Sequence, residues 1–305
     1  MTTKIQKSFG SLRVQSVMYG NEVARVEKTI RHLNRAADLA IAAGVFSSVE
    51  LIYGDASPQC IFDEQSLESV QNESYALKSI DVDFFGKNLG SAAGHNRLLE
   101  GTNTDFVLIM NPDVMLSPNA LIELVRPYTE QSVGMVEARQ LPIEHPKDYN
   151  TTTGETGWAT TACALIPTKL IKSIGGFDSD SFFLYCDDVD LSWRIRLEKY
   201  KVIYQPSASV FHDKRLSNNG TWLPSGSEQY YSAEAALMMA HKYSRPALVL
   251  ELLESFENSQ TDNLIRAAEV FTSKRDAGKL PTPIDGAHKV SSFNGDFYTN
   301  HRFSL

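Results

Sequence analysis

Two groups of acidic residues carry most of the chemistry that this sequence can offer. Asp113 follows Asn111 and Pro112 directly after the apolar stretch DFVLIM. A carboxylate on such a strand-end loop can coordinate Mg²⁺ or Mn²⁺, whose other ligands come from water and substrate phosphates. The same tripeptide is also an ordinary turn signal that leaves Asp113 simply exposed. Both interpretations stay open on these residues alone.

The second group lies in YCDDVDLSWRIR, where Asp187, Asp188 and Asp190 fall in the first turn of a predicted helix. The helix dipole favours negative charge there, so capping accounts for at least one of the three. Three carboxylates exceed what a helix cap requires. A carboxylate that faces a cleft can accept a proton from a hydroxyl group, so this cluster is also a candidate general base.

Two weaker features could complete a ligand site. His212 ends the predicted strand SASVFH, where a histidine is either a packing residue or, as neutral imidazole, a second metal ligand beside Asp113. The loop from Lys87 to Asn96 contains Gly90 and Gly94, which permit close approach of the backbone to a ligand. Turn chemistry explains these glycines as well, and the loop is neither a P-loop nor a G-x-G-x-x-G fingerprint.

The composition limits the class of protein. With 305 residues, a net charge of -8 and a pI near 5.4, the chain has no basic footprint for nucleic acid, so the partner is predicted to be small or neutral. Cys60, Cys163 and Cys186 lack CxxC spacing, which favours reduced thiols over a disulfide framework or a zinc site. Without a signal-peptide pattern or a membrane-spanning apolar run, we expect a cytoplasmic protein, soluble or peripheral at a membrane.

Alternating strand and helix patterns must position these residues. Strands are predicted over residues 12–18, 49–57, 79–85 and 105–110. Asn21 is predicted to cap a long amphipathic helix after the first strand. Such an order implies right-handed βαβ crossovers and a parallel sheet covered on both faces. Ligands bind outside the carboxyl ends of such strands, so we expect Asp55, Asn88 and Asp113 to gather at one edge.

The second half of the chain follows a different pattern. Strands are predicted over residues 158–166, 201–205 and 207–212, and helices over 168–174, 187–200, 227–243, 247–256 and 262–272. The tail after Gly278 is rich in turn residues and is predicted to be irregular or an arm. We therefore divide the chain into residues 1–225, an α/β domain, and residues 226–305, a helical region with an irregular tail.

Read in order, several segments resemble the family-2 glycosyltransferases of GT-A fold, and the resemblance is closest to the rhamnosyltransferase-like branch. These segments are GDAS, KNLGSAAGHN, FVLIMNPDV, GWATTACALI, IGGFD, FFLYCDDVDLSWRIR and YQPSASVFH. The most specific part is GGFD followed by FFLY, a carboxylate pair and DLSWR. The resemblance implies a GT-A type α/β fold: a Rossmann-like, mostly parallel central sheet flanked by helices, with a C-terminal helical extension.

The resemblance also implies a role for individual residues. Asp188 stands where the family has its general base, and Asp187 beside it replaces the more usual Glu. Asn111 replaces the first acid of the DXD-type motif, which leaves Asp113 as the expected metal ligand, and His212 closes the metal and diphosphate site. Donor contacts are implied for Tyr19, Asn21, Asp55, Asn88, Gly90, Asn96, Asn111 and Asp113. Acceptor contacts are implied for Trp158, Thr161 and Asp187.

The activity implied by the resemblance is a metal-dependent, inverting transfer of a sugar to a hydroxyl group. The donor is a nucleotide diphosphate sugar, with dTDP-rhamnose favoured and a UDP-hexose next, and Mn²⁺ or Mg²⁺ is the cofactor. The acceptor is a glycan or a lipid-linked glycan, as in polysaccharide or cell-wall biosynthesis. Residues 1–225 are then the nucleotide-sugar and catalytic domain. A peripheral contact with the inner face of the membrane and a homodimer stay open.

Two other functions also stay open. A sugar-phosphate nucleotidyltransferase shares the sheet and the metal carboxylates, but it should carry an early Gly-rich basic phosphate loop that the first strand here lacks. A catalytically silent carbohydrate-binding GT-A protein would be expected to have lost the acidic cluster that this chain retains. Trp222, Tyr230, Tyr231 and His241 are candidates for an acceptor wall, a membrane-facing surface or a dimer interface, with plain packing as the alternative.

Overall fold

A central sheet with helices on its faces organises the computed structural model, which describes residues 8–144, 147–213, 226–295 and 298. The strands of this sheet are β1 (Ser11–Met18), β2 (Ser48–Asp55), β3 (Ile80–Phe84), β4 (Phe106–Met110), β5 (Val114–Leu116), β6 (Val133–Leu141), β7 (Glu155–Thr156), β8 (Cys163–Pro167) and β9 (Lys201–His212). In the described residues they pair in the order β3-β2-β1-β4-β8-β6-β9-β5, with β7 on β9. The predicted α/β class is confirmed.

The helices cover both faces of the sheet and form the C-terminal region. They are α1 (Val23–Ala42), α2 (Glu64–Glu73), α3 (Gly90–Glu100), α4 (Ala120–Leu124), α5 (Thr168–Ser173), α6 (Asp187–Leu197), α7 (Gly226–Lys242), α8 (Pro246–Glu257) and α9 (Asp262–Asp276). None of the described helices is both long and apolar enough to cross a membrane.

The first half of the chain forms the parallel part of the sheet. Strand β1 pairs in parallel with β2 and β4, and β2 pairs in parallel with β3. Buried positions on β1 and β2 pack against α1, whose apolar stripe includes Val26, Ile30 and Leu33. Because the strands run in the same direction, their carboxyl ends lie at one edge of the sheet, as the sequence predicts.

The second half adds antiparallel pairs and differs from the prediction at β9. Residues 201–212 form one strand rather than two. Its parallel ladder with β6 shifts register from the pair Ala138 and Gln205 to the pair Arg139 and Ser209. Pro206 lies in this interval and has no N–H to donate, so the strand accommodates it as a bulge instead of ending there.

The strand predicted over residues 158–166 begins only at Cys163. The backbone groups before Cys163 bond to other parts of the protein instead of to a neighbouring strand. Ala159 N–H donates to the Ser192 hydroxyl at 3.0 Å, and Ala162 C=O accepts from Asn111 N–H at 2.9 Å. Residues 158–162, here called the central segment, therefore lie as irregular backbone in the middle of the molecule.

Two further helix predictions need correction. Asn21 does not cap α1, because Glu22 occupies the cap position and the Asn21 side chain accepts from the N–H of Tyr19 at 3.0 Å. Helix α2 was not predicted, since it buries only Val70 and so shows little apolar periodicity. Its start is marked instead by a capping box between Asp63 and Ser66.

An aromatic cluster packs the C-terminal region against α6. Trp193 on α6 packs edge-on against Tyr243 at 4.6 Å and against Phe293 at 5.5 Å. The predicted irregular tail therefore covers α6, and no helix occurs among the described residues after α9. Cys60, Cys163 and Cys186, all described, form no disulfide with one another.

Candidate active site

The ends of β1 and β2 bring Tyr19, Asn21 and Asp55 together at the carboxyl edge of the sheet. Asp55 is fully buried, and its two carboxylate oxygens accept from the N–H groups of Ser57 at 2.9 Å and Ile61 at 2.6 Å. Ser57 in turn accepts from Gly20 N–H at 2.9 Å, while Tyr19 is mostly exposed. The Asp55 carboxylate thus organises the turn that the resemblance assigns to the donor nucleoside.

The predicted donor loop is fixed to the segment before α6. Gly90 has φ of +73°, and a Cβ atom there would overlap the backbone of Phe183. The next residue donates its N–H to Phe183 C=O at 3.0 Å, and Asn88 accepts from Gly90 N–H at 2.9 Å. Only glycine meets both demands, so α3 begins in direct contact with the acidic segment.

Asn96 strengthens this connection. Its amide oxygen accepts from Phe177 N–H and its amide nitrogen donates to Phe177 C=O, both at 2.8 Å. The two polar atoms of Asn96 therefore join α3 to the IGGFD segment in this structure.

Asp113 and His212 meet at the edge where β5 pairs with β9. Val114 lies opposite His212 in this antiparallel pair, which places Asp113 beside the histidine ring. Asp113 Oδ1 lies 3.3 Å from His212 Nε2; the histidine is buried, and about one third of the carboxylate side chain is exposed. Two neighbouring ligands of an octahedral cation about 2.1 Å from the metal lie roughly 3 Å apart, so both atoms fit one ion.

A chain of hydrogen bonds fixes the tautomer of His212. Its Nδ1 faces the amide oxygen of Gln140 at 2.8 Å, while the amide nitrogen of Gln140 donates to Thr160 at 2.7 Å. Thr160 uses its own proton to bond Glu137 at 2.9 Å, so a flipped Gln140 amide would lack a donor on that side. His212 therefore donates from Nδ1 to Gln140, and its Nε2 faces Asp113 and is the nitrogen that a neutral ring would offer to a metal.

The same chain ends at a buried ion pair under the central segment. Lys147 bonds the second oxygen of Glu137, and its ammonium lies 4.1 Å from the ring centre of Trp158. Burial raises the pKa of Glu137, an effect that Lys147 and the hydroxyl of Thr160 oppose. The central segment is thus connected to the Asp113 and His212 pair through side chains that are almost entirely buried.

The acidic cluster begins after a strained turn. Tyr185 and Cys186 have φ of +68° and +57°, a left-handed conformation that costs energy for residues other than glycine. This turn aims the first residues of α6. Asp187 is almost fully buried, whereas Asp188 is partly exposed and accepts from Val189 N–H at 2.8 Å.

The hydroxyl of Ser192 ties the start of α6 to the central segment. It donates to the carbonyl of Asp188 at 2.8 Å and accepts from Ala159 N–H at 3.0 Å. The central segment therefore contacts Asn111 on one side, the start of α6 on another and, through Thr160, the bonds that hold His212. Three of the four features predicted from the sequence, the Asn111 to Asp113 turn, the acidic cluster and His212, therefore lie around the central segment.

Asp190, the third acid of the cluster, uses its whole carboxylate in contacts inside the protein. It is completely buried and bonds Arg194 at 2.7 Å, Lys242 at 2.5 Å and the hydroxyl of Tyr243 at 2.9 Å. Lys242 also contacts Asp178 at 2.5 Å. Burial raises the pKa of Asp178, but the bonds from Lys242 and Ser181 outweigh this and hold that pKa below its usual value.

The residues assigned to the acceptor are buried in this structure. Trp158 and Thr161 are 6% and 8% exposed, and Trp158 packs between Lys147 and Tyr298. Tyr231 stacks on Phe183 at 4.8 Å, next to the acidic segment. Trp222 lies outside the described residues.

The sequence predictions missed the residues that support the site. Glu137, Gln140 and Lys147 belong to no motif, and Thr160 lies in GWATTACALI without a predicted role. The four meet only because β6, the central segment and the loop between them fold onto one another. The indication in the sequence was weak: Glu137 and Gln140 are polar residues inside the otherwise apolar stretch VGMVEARQL.

Comparison of the sequence with known proteins finds relatives among the glycosyltransferases. No family model matches the chain. An N-acetylglucosaminyl-diphospho-decaprenol L-rhamnosyltransferase of Mycobacterium tuberculosis is 27% identical, over 43% of this chain and 58% of that protein. A pre-mycofactocin glycosyltransferase of the same organism is 23% identical, over 62% of this chain and 44% of that protein. The chain spans about half the length of these curated relatives.

Solved structures share the fold at low sequence identity. A mannosyltransferase from Pyrobaculum calidifontis in complex with GDP-Man and Mn²⁺ has a TM-score of 0.57 and 17% identity, covering 88% of this chain and 76% of its own. GalNAc-T7 with UDP, GalNAc and Mn²⁺ has a TM-score of 0.62 and 10% identity, covering 90% and 59%. The fold is that of the GT-A glycosyltransferases.

Within that class, the sequence relatives narrow the assignment. The similarity to a rhamnosyltransferase and to a second glycosyltransferase supports the family-2, rhamnosyltransferase-like assignment that the motifs imply. The roles of individual site residues stay predictions.

Proposed function

We propose that this protein transfers a sugar from a nucleotide diphosphate donor to an acceptor hydroxyl, with inversion at the anomeric carbon and with dependence on Mn²⁺ or Mg²⁺. The observation that carries the proposal is the approach of Asp113 Oδ1 to His212 Nε2 at 3.3 Å, with Gln140 holding the ring in the tautomer that can bind a metal. Among the described residues no group of three acidic, histidine or cysteine side chains gathers as a closed metal site. A two-ligand site suits a cation that takes its other ligands from the diphosphate and water.

The chemistry proposed for the chain follows from charge. A divalent cation held by Asp113 and His212 would offset the negative charge that develops on the departing diphosphate. Asp188 accepts the proton of the attacking hydroxyl, since it is the more exposed acid of the pair at the start of α6. Asp187 supports it from a buried position. A single displacement from the face opposite the leaving group inverts the anomeric centre.

The relatives suggest the substrates. The name of the rhamnosyltransferase relative describes a lipid-linked diphosphate acceptor, and we propose the same class here, with dTDP-rhamnose as first candidate donor and a UDP-hexose second. We further propose a cytoplasmic location with peripheral attachment to the membrane that holds such lipids. Residues 1–225 then form the donor and catalytic domain, and residues 226–305 complete the acceptor side.

A thermal-shift screen tests this function. Each nucleotide sugar is added to the protein with and without Mn²⁺, and we expect the true donor to raise the melting temperature strongly only when Mn²⁺ is present. Asp113→Asn should lose this metal-dependent shift while the unliganded melting temperature is retained. Stabilisation by an NTP and a sugar phosphate, with pyrophosphate release, would instead indicate a nucleotidyltransferase, and donor binding without any turnover would indicate a silent carbohydrate-binding protein.

Gln140 gives a second prediction about the metal. Replacing it by Met removes the acceptor for His212 Nδ1 at similar side-chain volume, so we expect the Mn²⁺ affinity to fall about 10- to 100-fold. Titration of Mn²⁺ followed by electron paramagnetic resonance measures this directly. Gln205→Met is the matched control, because Gln205 bonds Glu123 and Ser207 instead. Equal Mn²⁺ affinity in both variants would show that Gln140 does not position the histidine.

A further inference from the structure

A groove of about 930 Å³ lies between α1 and the strands β5 and β9, and neither Asp113 nor His212 lines it. One wall is the exposed face of α1 and the other is formed by residues of β5, β9 and the end of β6. The proposed reaction does not use this surface. We call it the α1 groove.

The α1 groove is basic although the chain as a whole is acidic. Four basic side chains line it, Lys28, Arg31, His32 and Arg35, and no acidic side chain does. All four are exposed and recur at helical spacing on α1. The net charge of the chain is -8, so this stripe is a local exception that selects an anionic partner.

Nearby carboxylates do not cancel the stripe. Glu27 approaches Arg31 at 3.8 Å and Asp38 approaches Arg35 at 3.2 Å, but neither carboxylate lines the groove. Ion pairs that are this exposed to solvent contribute little free energy, so both guanidinium groups can instead bind an anionic partner that attracts them more strongly.

The opposite wall is apolar and partly exposed. Phe211 lies between Met115 and Leu141 in the strand register, so the three side chains stand on one face of the sheet. Phe211 is 45% exposed and Leu141 is 39% exposed, among the most exposed large apolar side chains of the described residues. Alternation along β9 turns His212 to the other face. A ligand that contacts Phe211 in the α1 groove therefore touches the neighbour in sequence of His212, the proposed metal ligand, on the opposite face of the sheet.

We infer that the α1 groove docks the protein on an anionic phospholipid bilayer, with lipid phosphates against the α1 cations and with Phe211 and Leu141 in the acyl boundary. A basic face beside bulky apolar side chains is the combination that holds proteins at a membrane surface. A peptide strand fits less well, because edge strand β5 has only three residues and the Leu116 carbonyl already accepts from the ring of His32 at 3.3 Å. The inference assigns a surface to the membrane attachment proposed above and in that respect rests on it, but it does not rest on the proposed reaction.

Cosedimentation with vesicles tests the inference without donor or acceptor. We expect the full chain to bind vesicles of phosphatidylcholine and phosphatidylglycerol and to bind phosphatidylcholine alone weakly. The variant Lys28→Gln, Arg31→Gln, Arg35→Gln should lose about 100-fold in partitioning to the anionic vesicles. The matched control is Lys78→Gln, Lys169→Gln, Lys279→Gln, which removes the same charge at exposed positions outside the groove and should bind as the wild type does.

A second measurement tests the apolar wall. In Phe211→Trp the new indole should be quenched by lipids with brominated acyl chains, above the quenching of the wild type, whose described tryptophans Trp158 and Trp193 are buried. Equal binding to neutral and anionic vesicles, equal loss in the control variant, or no added quenching would overturn the inference. So would self-association in sedimentation experiments that the triple groove variant abolishes, because the groove would then be an interface between two copies.

Discussion

Replacing Asp188 by Asn is expected to reduce the rate of sugar transfer by about 10²- to 10⁴-fold while donor binding survives. The amide oxygen of Asn can still accept from Val189 N–H, as Asp188 does at 2.8 Å, so the start of α6 should keep its conformation. The variant loses only the group that takes the proton from the acceptor. Initial rates with the identified donor, together with the donor-dependent thermal shift, measure both halves of this expectation.

Asp180→Asn is the matched control for this variant. Asp180 is exposed, lies in the segment between IGGFD and α6, and undergoes the same chemical change. We expect it to transfer sugar at the wild-type rate. If Asp188→Asn also stayed close to wild-type activity, Asp188 would not be the general base, and Asp187→Asn would become the next variant to measure.

Replacing Lys242 by Met is expected to lower the free energy of unfolding by about 3–5 kcal/mol, because it leaves two carboxylates without their common partner in a buried site. Lys242 contacts Asp178 and Asp190, each at 2.5 Å. Urea denaturation measures the change. Lys274→Met is the matched control, because it breaks the contact of Lys274 with Glu234 at 3.0 Å in a more exposed pair. We expect its free energy of unfolding to fall by at most about 1 kcal/mol. Equal losses in the two variants would contradict a special role of Lys242.

The same ion pair sets a dependence on pH. The folded-state pKa of Asp178 lies below its usual value, so the folded protein binds the proton less readily than the unfolded chain does. The stabilisation is therefore present above the ordinary Asp pKa near ~3.9 and is lost as the pH falls through the lower folded-state value. Urea midpoints between neutral and strongly acidic pH should fall with pH in the wild type and less steeply in Lys242→Met.

The strands of the parallel half could be predicted because their physical signal is local. FVLIM is continuously apolar, and the strand β4 that it forms is buried at all but its first position. By contrast, β6 escaped prediction because Glu137 and Gln140 point inward and break its apolar pattern. Their burial is favourable because both belong to a hydrogen-bond network, and the other members of that network come from different segments of the chain.

The candidate site was predicted only as far as residue types allow. Asp113 and His212 are 99 residues apart in sequence and meet through the pairing of β5 with β9. Strand-end topology predicted that Asp113 would lie at the edge of the sheet, but it did not predict that His212 would lie beside it. Within the acidic cluster, composition could not separate Asp188 from Asp190. The difference is made by Lys242 and Tyr243, which contact Asp190 from the end of α7 and the turn that follows it.

The contacts of α3 with the segment before α6 bear on how such enzymes can be recombined. Gly90 and Asn96 on the donor side fit Phe183 and Phe177 on the acidic side through close approach and paired backbone bonds. A chimera that takes its acceptor half from a relative would break this match unless residues 90–96 and 177–183 were inherited together. A graft between relatives should therefore transfer these two segments as one unit.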